Sequence, residues 1–257
     1  MKYKLIRYTV TCAALGLVSG PALAQVTNQA TIDQDVEDGQ VTVRQAGDDN
    51  RALATQRGKH DMTIFIRSSG EGNLAEVNQG NRYNNTNVQQ IGNENEAKVL
   101  QQETRASRIQ VFQGHIGPKA IKNKATVLFQ KGEHHDLRLI QSGEQNLVTA
   151  EQDGHRGTLI TNQGGSDNLI DVKQGNGWSQ DLYLWAKQSG VGNDMSVDQL
   201  GYRNRISAQQ IGDDNTARYD QNGSDNNING QQYGSANDAS VVQRGENASV
   251  LVVQDSR

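Results

Sequence analysis

Apolar and polar positions alternate along short stretches of this chain, and the alternation restarts at a fixed interval. The stretch 215–221 reads Asn-Thr-Ala-Arg-Tyr-Asp-Gln, so Asn, Ala, Tyr and Gln occupy one set of alternate positions and Thr, Arg and Asp the other. The stretches 95–101 and 193–199 follow the same order. An alternation with a period of two is typical of a strand with one buried and one exposed face. The pattern therefore predicts many short, half-buried strands.

A Gln-x-Gly-x-x-Asn motif separates these strands and defines an 11-residue unit. The motif begins at Gln45, Gln90, Gln141, Gln163, Gln188, Gln199, Gln210, Gln221 and Gln232, and each time another Gln follows 11 positions later. Glycine tolerates a positive φ and Asn is the next most tolerant residue, so we expect Gly-x-x-Asn to reverse the chain. The turn glycines of the most regular part are Gly190, Gly201, Gly212, Gly223 and Gly234. A strand plus a tight turn, repeated at a fixed period, is typical of a solenoid.

Such units can bury their inner faces only by stacking on one another. At a strand spacing of about 4.8 Å, the backbone groups of each layer can pair with the layers above and below. Inward amides then lie over amides of neighbouring layers and can hydrogen-bond along the stack. We expect a glutamine ladder from Gln188, Gln199, Gln210, Gln221, Gln232 and Gln243, and an asparagine ladder from Asn193, Asn204, Asn215, Asn226 and Asn237.

The sizes of the inner residues indicate two strands in each coil. The unit at 204 carries Ile then Ala at its inner positions, and the unit at 226 carries Ile then Gly. The units at 215 and 237 instead begin with Ala and continue with Tyr or Val. Similar sizes thus recur in every second unit. The predicted fold is all-β, a stacked β-solenoid of 11-residue strand–turn units with two strands per 22-residue coil.

The composition supports a periodic polar protein. The chain has 29 Gln and 24 Asn against three Phe and two Trp, and hydrophobic residues make up 34% of it. Low apolar content is often typical of disorder, but here the polar residues are periodic, which favours the solenoid. The net charge is −4 and both signs are mixed along the chain, so we expect no nucleic-acid partner.

The first residues have the features of a secretory signal peptide. Three cations precede an apolar run at 8–18, and Ala-Leu-Ala at 22–24 is a small-residue cleavage site. We therefore predict a signal peptide at 1–24 and a repeat domain at 25–257, with no membrane span in the mature chain. Cys12, the single cysteine, would be removed with the signal peptide. Within the repeat domain the motif weakens around Arg67, over 102–130 and over 174–188.

The repeat resembles a known family. Gln-x-Gly-x-x-Asn-x-Ala-x-x-x-Gln is similar to the curlin repeat of curli fimbria subunits, and the stretches 90–101 and 232–243 match it closely. Looser copies cover nearly all of the predicted mature chain. The resemblance implies a structural protein of the major or the nucleator type, which polymerises into functional amyloid fibres of a biofilm matrix and serves adhesion and surface colonisation. It implies partners as well: further copies of the chain, other curlin-type subunits, a curli-type outer-membrane secretion pore and soluble accessory proteins. The expected location is the cell surface, reached through the periplasm.

Two other functions remain open at this stage. In a monomeric, secreted β-solenoid adhesin, the same ladders would only stabilise the fold of a single chain. A carbohydrate-active β-helix is a more distant alternative. The C-terminal stretch 250–254 is apolar and lacks the polar cap that monomeric solenoids use, which favours a polymer. No nucleophile, acid–base pair or metal cluster stands out from the repeat, so we expect neither an enzyme nor a cofactor.

Several side chains outside the ladders also carry expectations. His134 and His135 are adjacent and would point to opposite faces, which favours a solvated turn over a metal site. Trp178 and Trp185 are expected to fill a widened core or a bulge. The turn aspartates are expected to be solvated; they are Asp48, Asp49, Asp213, Asp214 and Asp225. A sharper hypothesis is that like charges in stacked turns slow assembly until export is complete.

Overall fold

The computed structural model describes residues 6–13, 27–114, 120–175 and 178–256, and every regular element in these ranges is a β-strand. The strands are β1 (Ile6–Ala13), β2 (Thr27–Val36), β3 (Gly39–Ala46), β4 (Arg51–Gly58), β5 (Met62–Ser69), β6 (Leu74–Asn81), β7 (Asn85–Asn93), β8 (Glu96–Gln101), β9 (Thr104–Arg105), β10 (Arg108–Gln113), β11 (Ala120–Ile121), β12 (Lys124–Glu133), β13 (Asp136–Glu144), β14 (Leu147–His155), β15 (Thr158–Ser166), β16 (Leu169–Gln174), β17 (Tyr183–Val191), β18 (Asp194–Tyr202), β19 (Arg205–Ile211), β20 (Thr216–Ser224), β21 (Asn227–Gly234), β22 (Asp238–Glu246) and β23 (Ser249–Ser256).

The strands form two sheets that face each other. Sheet A follows the order β1, β2, β4, β6, β8, β12, β14, β16, β18, β20, β22, with β9 beside β12. Sheet B follows the order β3, β5, β7, β10, β13, β15, β17, β19, β21, β23, with β11 between β7 and β13. From β2 onward the chain alternates between the sheets, except that the short β9 and β11 stay in the sheet of the strand before them, so each coil adds one long strand to each sheet. This is the predicted all-β solenoid with two strands per coil, and the prediction is confirmed.

The pairing register explains why side chains of the same kind meet. From β17 onward each strand pairs in parallel with the second strand after it, so that Ile206 lies beside Ile228 and Ala217 beside Ala239. These are the pairs that the inner residue sizes predict. Ten such coils, from β2 with β3 to β22 with β23, give a stack about 48 Å tall at the usual strand spacing.

The core lies between the sheets and consists mainly of the alternate apolar positions of both. Ile206, Met195 and Leu184 are fully buried there. The largest fully buried side chain is Tyr219 of sheet A, and its ring occupies the space that a Cβ at Gly230 of sheet B would need. A large residue on one sheet is thus matched by the smallest residue on the other.

The irregular parts of the repeat are places where a coil gains residues. Regular coils bring together positions that are 22 apart in the chain. The step is much longer between β8 and β12 and between β16 and β18. The step between β3 and β5 is also slightly longer than the regular one, and there Ser68 lies at the position of the inner Gln. The weak motifs over 102–130, over 174–188 and around Arg67 coincide with these steps. Residues 115–119 and 176–177, inside the two larger insertions, lie outside the described residues.

The first strand differs from all the others because it pairs antiparallel. β1 runs along the free edge of β2, from Ile6 opposite Gln34 to Ala13 opposite Thr27. β1 belongs to the predicted signal peptide 1–24, and the remainder of that segment lies outside the described residues. Cleavage after residue 24 therefore stays a prediction. No helix in the described part of the chain is long and apolar enough to cross a membrane.

Candidate assembly surface

The inner side chains of sheet B form an unbroken ladder from Ser68 to Gln254, whereas Gln45, in register with Ser68, donates to the carbonyl of Gln29 at 3.1 Å. In each step the side-chain Nε2 donates to the Oε1 of the next Gln at 2.8–3.0 Å. Interior members also donate to backbone carbonyls, as Gln210 does to Asp194 and Asn215 at 3.0 Å. Ser68 takes part through its hydroxyl, which donates to Gln90 at 3.1 Å. The members are Ser68, Gln90, Gln113, Gln141, Gln163, Gln188, Gln210, Gln232 and Gln254.

The inner glutamines of sheet A form a second ladder with one interruption. Its two parts are Gln34, Gln56, Gln79 and Gln101, and then Gln152, Gln174, Gln199, Gln221 and Gln243, with Nε2 to Oε1 distances of 2.6–3.2 Å. Between the parts, Phe129 occupies the register position of the missing amide. As a result Gln101 Nε2 and Gln152 Oε1 are buried without a hydrogen-bond partner.

The six predicted ladder glutamines therefore belong to two ladders. Gln188, Gln210 and Gln232 lie in sheet B, whereas Gln199, Gln221 and Gln243 lie in sheet A. Inner glutamines of directly consecutive units do not bond to each other, since consecutive strands join opposite sheets.

Asparagines form a third ladder in the turns that lead from sheet B to sheet A. Each backbone N–H and each Nδ2 donates to the Oδ1 of the Asn one coil earlier, as Asn215 does to Asn193 at 3.1 and 2.9 Å. The Nδ2 of Asn215 also donates to the carbonyl of Gly234 in the following coil at 2.9 Å. This ladder spans all ten coils and consists of Asn28, Asn50, Asn73, Asn95, Asn123, Asn146, Asn168, Asn193, Asn215 and Asn237.

The opposite turns, from sheet A to sheet B, have no such continuity. Asn204 and Asn226 stack there, and the backbone N–H of Asn226 donates to Asn204 Oδ1 at 3.0 Å. Elsewhere the same column holds Ser107, His135 and Gly157, whose carbonyls accept the backbone hydrogen bonds of neighbouring coils. Of the five predicted ladder asparagines, Asn204 and Asn226 thus lie on one edge of the solenoid and the other three on the opposite edge.

The turn glycines are required by the coil above. All five predicted glycines have a positive φ between 88° and 129°. A Cβ on Gly212, for example, would collide with the backbone carbonyl of Gly234 in the next coil. The second left-handed residue of the turn is the one that precedes Asn, such as Asp214 with φ 54° or Ala236 with φ 56°. The expectation that Asn itself takes a positive φ is wrong. Asn stabilises the turn through the hydrogen bonds of its side chain.

The first and last coils present complementary groups. At the last coil, Gln243 Nε2 is buried without a partner and Asn237 Oδ1 accepts no hydrogen bond within the described residues. At the first coil, no donor among the described residues reaches the Oε1 atoms of Gln34 and Gln45. In the same part of the chain no further strand pairs with the outer edges of β3, β22 and β23. One end thus offers Gln donors and the other Gln acceptors.

The turn charges do not follow the like-charge hypothesis throughout. Arg203 lies one coil before Asp225 and binds its carboxylate through two nitrogens at 2.8 and 2.9 Å. Asp213 accepts a hydrogen bond from the backbone N–H of Val191 at 2.9 Å. The hypothesis of stacked like charges is therefore wrong for Asp225, whose neighbour in the preceding coil is the cation Arg203.

The remaining candidate residues form no reactive cluster. His134 is exposed in a left-handed turn as expected, but His135 is buried, so a solvated turn is wrong for it. Trp185 faces outward from β17 and Trp178 is 90% exposed beside the second insertion, so neither fills the core. Across the described residues, no group of three or more His, Cys, Asp or Glu could hold a metal ion. Comparison with protein-family models, curated proteins and solved structures finds no match to this chain.

Proposed function

We propose that the protein is a curlin-like structural subunit that assembles end to end into extracellular amyloid fibres of a biofilm matrix. The observation that carries this proposal is the polarity of the amide ladders. Each hydrogen bond between two ladder glutamines is donated toward the coil that follows, so the last coil offers donors where the first coil offers acceptors. A second copy added in the same direction continues both glutamine ladders, whereas two last coils brought together would oppose donor to donor.

The register within the chain defines how two copies would join. Continuing the ladders puts Gln243 beside Gln34 of the next copy and Gln254 beside Gln45. Asn237 then accepts from the backbone of Asn28, as the other asparagines of its ladder do. The half-buried Val250 and Val252 would become covered by the next copy. Extension in this way satisfies the buried amide of Gln243, and an unsatisfied buried donor costs about 1–3 kcal/mol.

The position of β1 supports assembly after processing. β1 occupies the edge of β2 on which a new sheet-A strand would otherwise pair. Removal of the predicted signal peptide 1–24 would free that edge. Within the proposal, the chain passes the periplasm unfolded with accessory proteins, leaves through a curli-type pore and joins a fibre of itself and other curlin-type subunits at the cell surface, where it serves adhesion.

The test is seeded assembly of residues 25–257 diluted from denaturant. We expect seedable growth followed by thioflavin fluorescence, and fibre diffraction with reflections near about 4.7 and 10 Å. Gln243→Leu with Gln254→Leu should slow elongation at least about tenfold, since about 1.4 kcal/mol corresponds to a factor of ten. The control is Gln209→Leu with Gln231→Leu, two outward-facing glutamines of sheet B that lie in neither ladder. A soluble, β-rich monomer indifferent to seeds would refute the proposal and favour the monomeric adhesin.

A further inference from the structure

Charged side chains are sorted by sheet on the outside of the solenoid. Face A is defined as the outward positions of sheet A in register with Asp194, Ser196 and Asp198, and face B as those of sheet B in register with Tyr183, Trp185 and Lys187. Face B carries six basic residues and one acidic residue: Arg44, Arg67, Arg108, Arg138, Lys187 and Arg205, with Asp136. Face A carries nine acidic and five basic residues: Asp33, Glu76, Glu96, Glu151, Asp171, Asp194, Asp198, Asp220 and Asp238, with Arg51, Lys98, Lys124, Lys173 and Arg218.

This separation is invisible in the linear order of charges. Consecutive strands join opposite sheets, so residues of both signs alternate along the chain while each face collects one sign in excess. The acidic excess is concentrated in the later coils of face A. Burial, and next the nearby carboxylate of Asp171, raise the pKa of Asp194. Burial, and next the carboxylate of Asp220, likewise raise the pKa of Asp198. From β14 onward, the carboxylates of face A outnumber its cations.

Apolar side chains lie at matching heights on the two faces. Leu147 of face A and Ile160 of face B belong to the same coil, and Leu169 and Trp185 belong to the next one. All four expose part of their surface instead of joining the core. A partner that covers either face thus meets an apolar centre flanked by charges of one predominant sign, which is the arrangement of a specific protein interface.

We propose that face A of one copy packs against face B of a second copy, side by side with parallel solenoid axes. This contact is distinct from the end-to-end contact and joins neighbouring fibres, or soluble chains, laterally. Each face is about 48 Å long and about 15–20 Å wide, from the strand spacing and the rise per residue. The contact would therefore cover about 800 Å² on each partner, the area of a standard specific interface. The second copy is the occupant that the structure favours, since its face B carries Lys187 and Arg205 in the same coils as the aspartates of β16 and β18, and apolar residues at the height of Leu147 and Leu169.

The two kinds of contact should respond differently to salt. Exposed ion pairs are weak and are screened by salt, with a Debye length of about 8 Å at 0.15 M and about 3 Å at 1 M salt. The buried amide ladders are screened far less. Lateral association should therefore weaken in 1 M NaCl while the fibres themselves persist.

The test reverses the charge of each face in turn. The face B variant is Arg138→Glu, Lys187→Glu and Arg205→Glu, and the face A variant is Asp171→Lys, Asp194→Lys and Asp198→Lys, so that the reversed residues of β17 and β19 lie in the same coils as those of β16 and β18. The control is Lys59→Glu, Arg82→Glu and Lys122→Glu, three exposed cations that lie in the turns. Fibre cross-section is measured by small-angle X-ray scattering and electron microscopy at 20 mM and 1 M NaCl, and thioflavin fluorescence reports fibre growth separately.

We expect each single-face variant to lose lateral association at least about tenfold at 20 mM NaCl, and a chain with both faces reversed to recover it. The control should associate laterally as the wild type does. If no fibres form at all, the end-to-end proposal fails, and sedimentation velocity of the same soluble variants still tests the lateral contact. Equal lateral association in all variants, or no recovery in the double reversal, would overturn the proposal. Unchanged association together with loss of dextran sulfate binding by the face B variant would overturn it in favour of a polyanion partner.

Discussion

The two glutamine ladders are built from the same residue at the same spacing, yet only one of them is continuous. The ladder of sheet B passes through nine coils without a gap and begins at Ser68, whose hydroxyl donates to Gln90. The ladder of sheet A stops at Phe129 and leaves one orphaned amide atom on each side. Each amide both accepts from one neighbour and donates to the other, so a single missing member costs two hydrogen bonds. The Ser at a ladder position still donates to the next Gln, whereas the register position of Phe129 supplies no amide.

The same contrast extends to other buried polar atoms of the described residues. Unpartnered atoms of sheet A include Gln101 Nε2, Gln152 Oε1, Tyr219 Oη and Gln243 Nε2, whereas in sheet B Thr161 Oγ1 is such an atom. A buried unsatisfied group costs about 1–3 kcal/mol. Sheet B is therefore the better satisfied half of each coil, and sheet A is where substitutions can gain stability.

Breaking the continuous ladder should have the largest effect. Gln163→Leu removes four hydrogen bonds, one with each neighbouring Gln of the ladder and two to backbone carbonyls, so it should lower the free energy of local unfolding by about 2–4 kcal/mol. Gln101→Leu is the matched control, because the Nε2 of Gln101 already lacks a partner and only its Oε1 accepts hydrogen bonds. Its cost should be about half as large. Hydrogen exchange of β15 and β8 measures both, and equal costs would contradict the distinction between the ladders.

The two turn edges should differ in a similar way. Asn215→Ala removes the acceptor for two donors of Asn237 and should cost about 2–3 kcal/mol. Asn204→Ala, on the edge without a continuous ladder, removes the acceptor for only the backbone N–H of Asn226 and should cost about 1–2 kcal/mol. Urea denaturation of the soluble chain measures the difference. A larger loss for Asn204→Ala would show that continuity of the asparagine ladder has no bearing on stability.

Repairing the interrupted ladder should stabilise the protein. Phe129→Gln supplies an acceptor for Gln101 Nε2 and a donor for Gln152 Oε1, so we expect a gain of about 1–2 kcal/mol in the free energy of unfolding. Phe129→Leu is the control, because Leu leaves both atoms unpartnered. Hydrogen exchange of β8, β12 and β14 locates the gain. If Phe129→Gln and Phe129→Leu give these strands equal protection from hydrogen exchange, the stability of the strands does not depend on the ladder.

The smallest expected effect concerns the other orphaned atom of sheet A. Tyr219→Phe removes a buried hydroxyl without a partner and should stabilise by about 1 kcal/mol at pH 7. Burial raises the pKa of Tyr219 to about 12 from its usual value of 10, so the folded protein holds this proton more tightly than the unfolded chain does. The associated stability is fully present below pH 10 and is lost as the pH rises from 10 through 12. Denaturation from pH 8 to 12 should show this loss in the wild type and less of it in Tyr219→Phe; parallel curves would contradict the assignment.

Much of the fold follows from the sequence, because one coil of the solenoid consists of two repeat units. The alternation in 215–221 predicts the strand β20, and the similar sizes of Ile206 and Ile228 predict the register of two units per coil. The turn glycines could be predicted because only Gly fits under the carbonyl of the next coil. The Trp185 prediction failed because an irregular sequence was taken to mean a wider core, whereas β17 after the longer step keeps regular pairing with β15 and β19.

The sequence by itself therefore determines the unit, its period and which amides face inward, since these depend on neighbours within one strand and turn. Only the tertiary structure decides which amides bond to each other, because consecutive units lie on opposite sheets and every second unit lies in contact. It also decides the direction of each ladder, and hence the difference between the two ends. The sorting of charges onto two faces has the same origin: a chain that changes sheet at every turn separates in space the signs that it mixes in sequence.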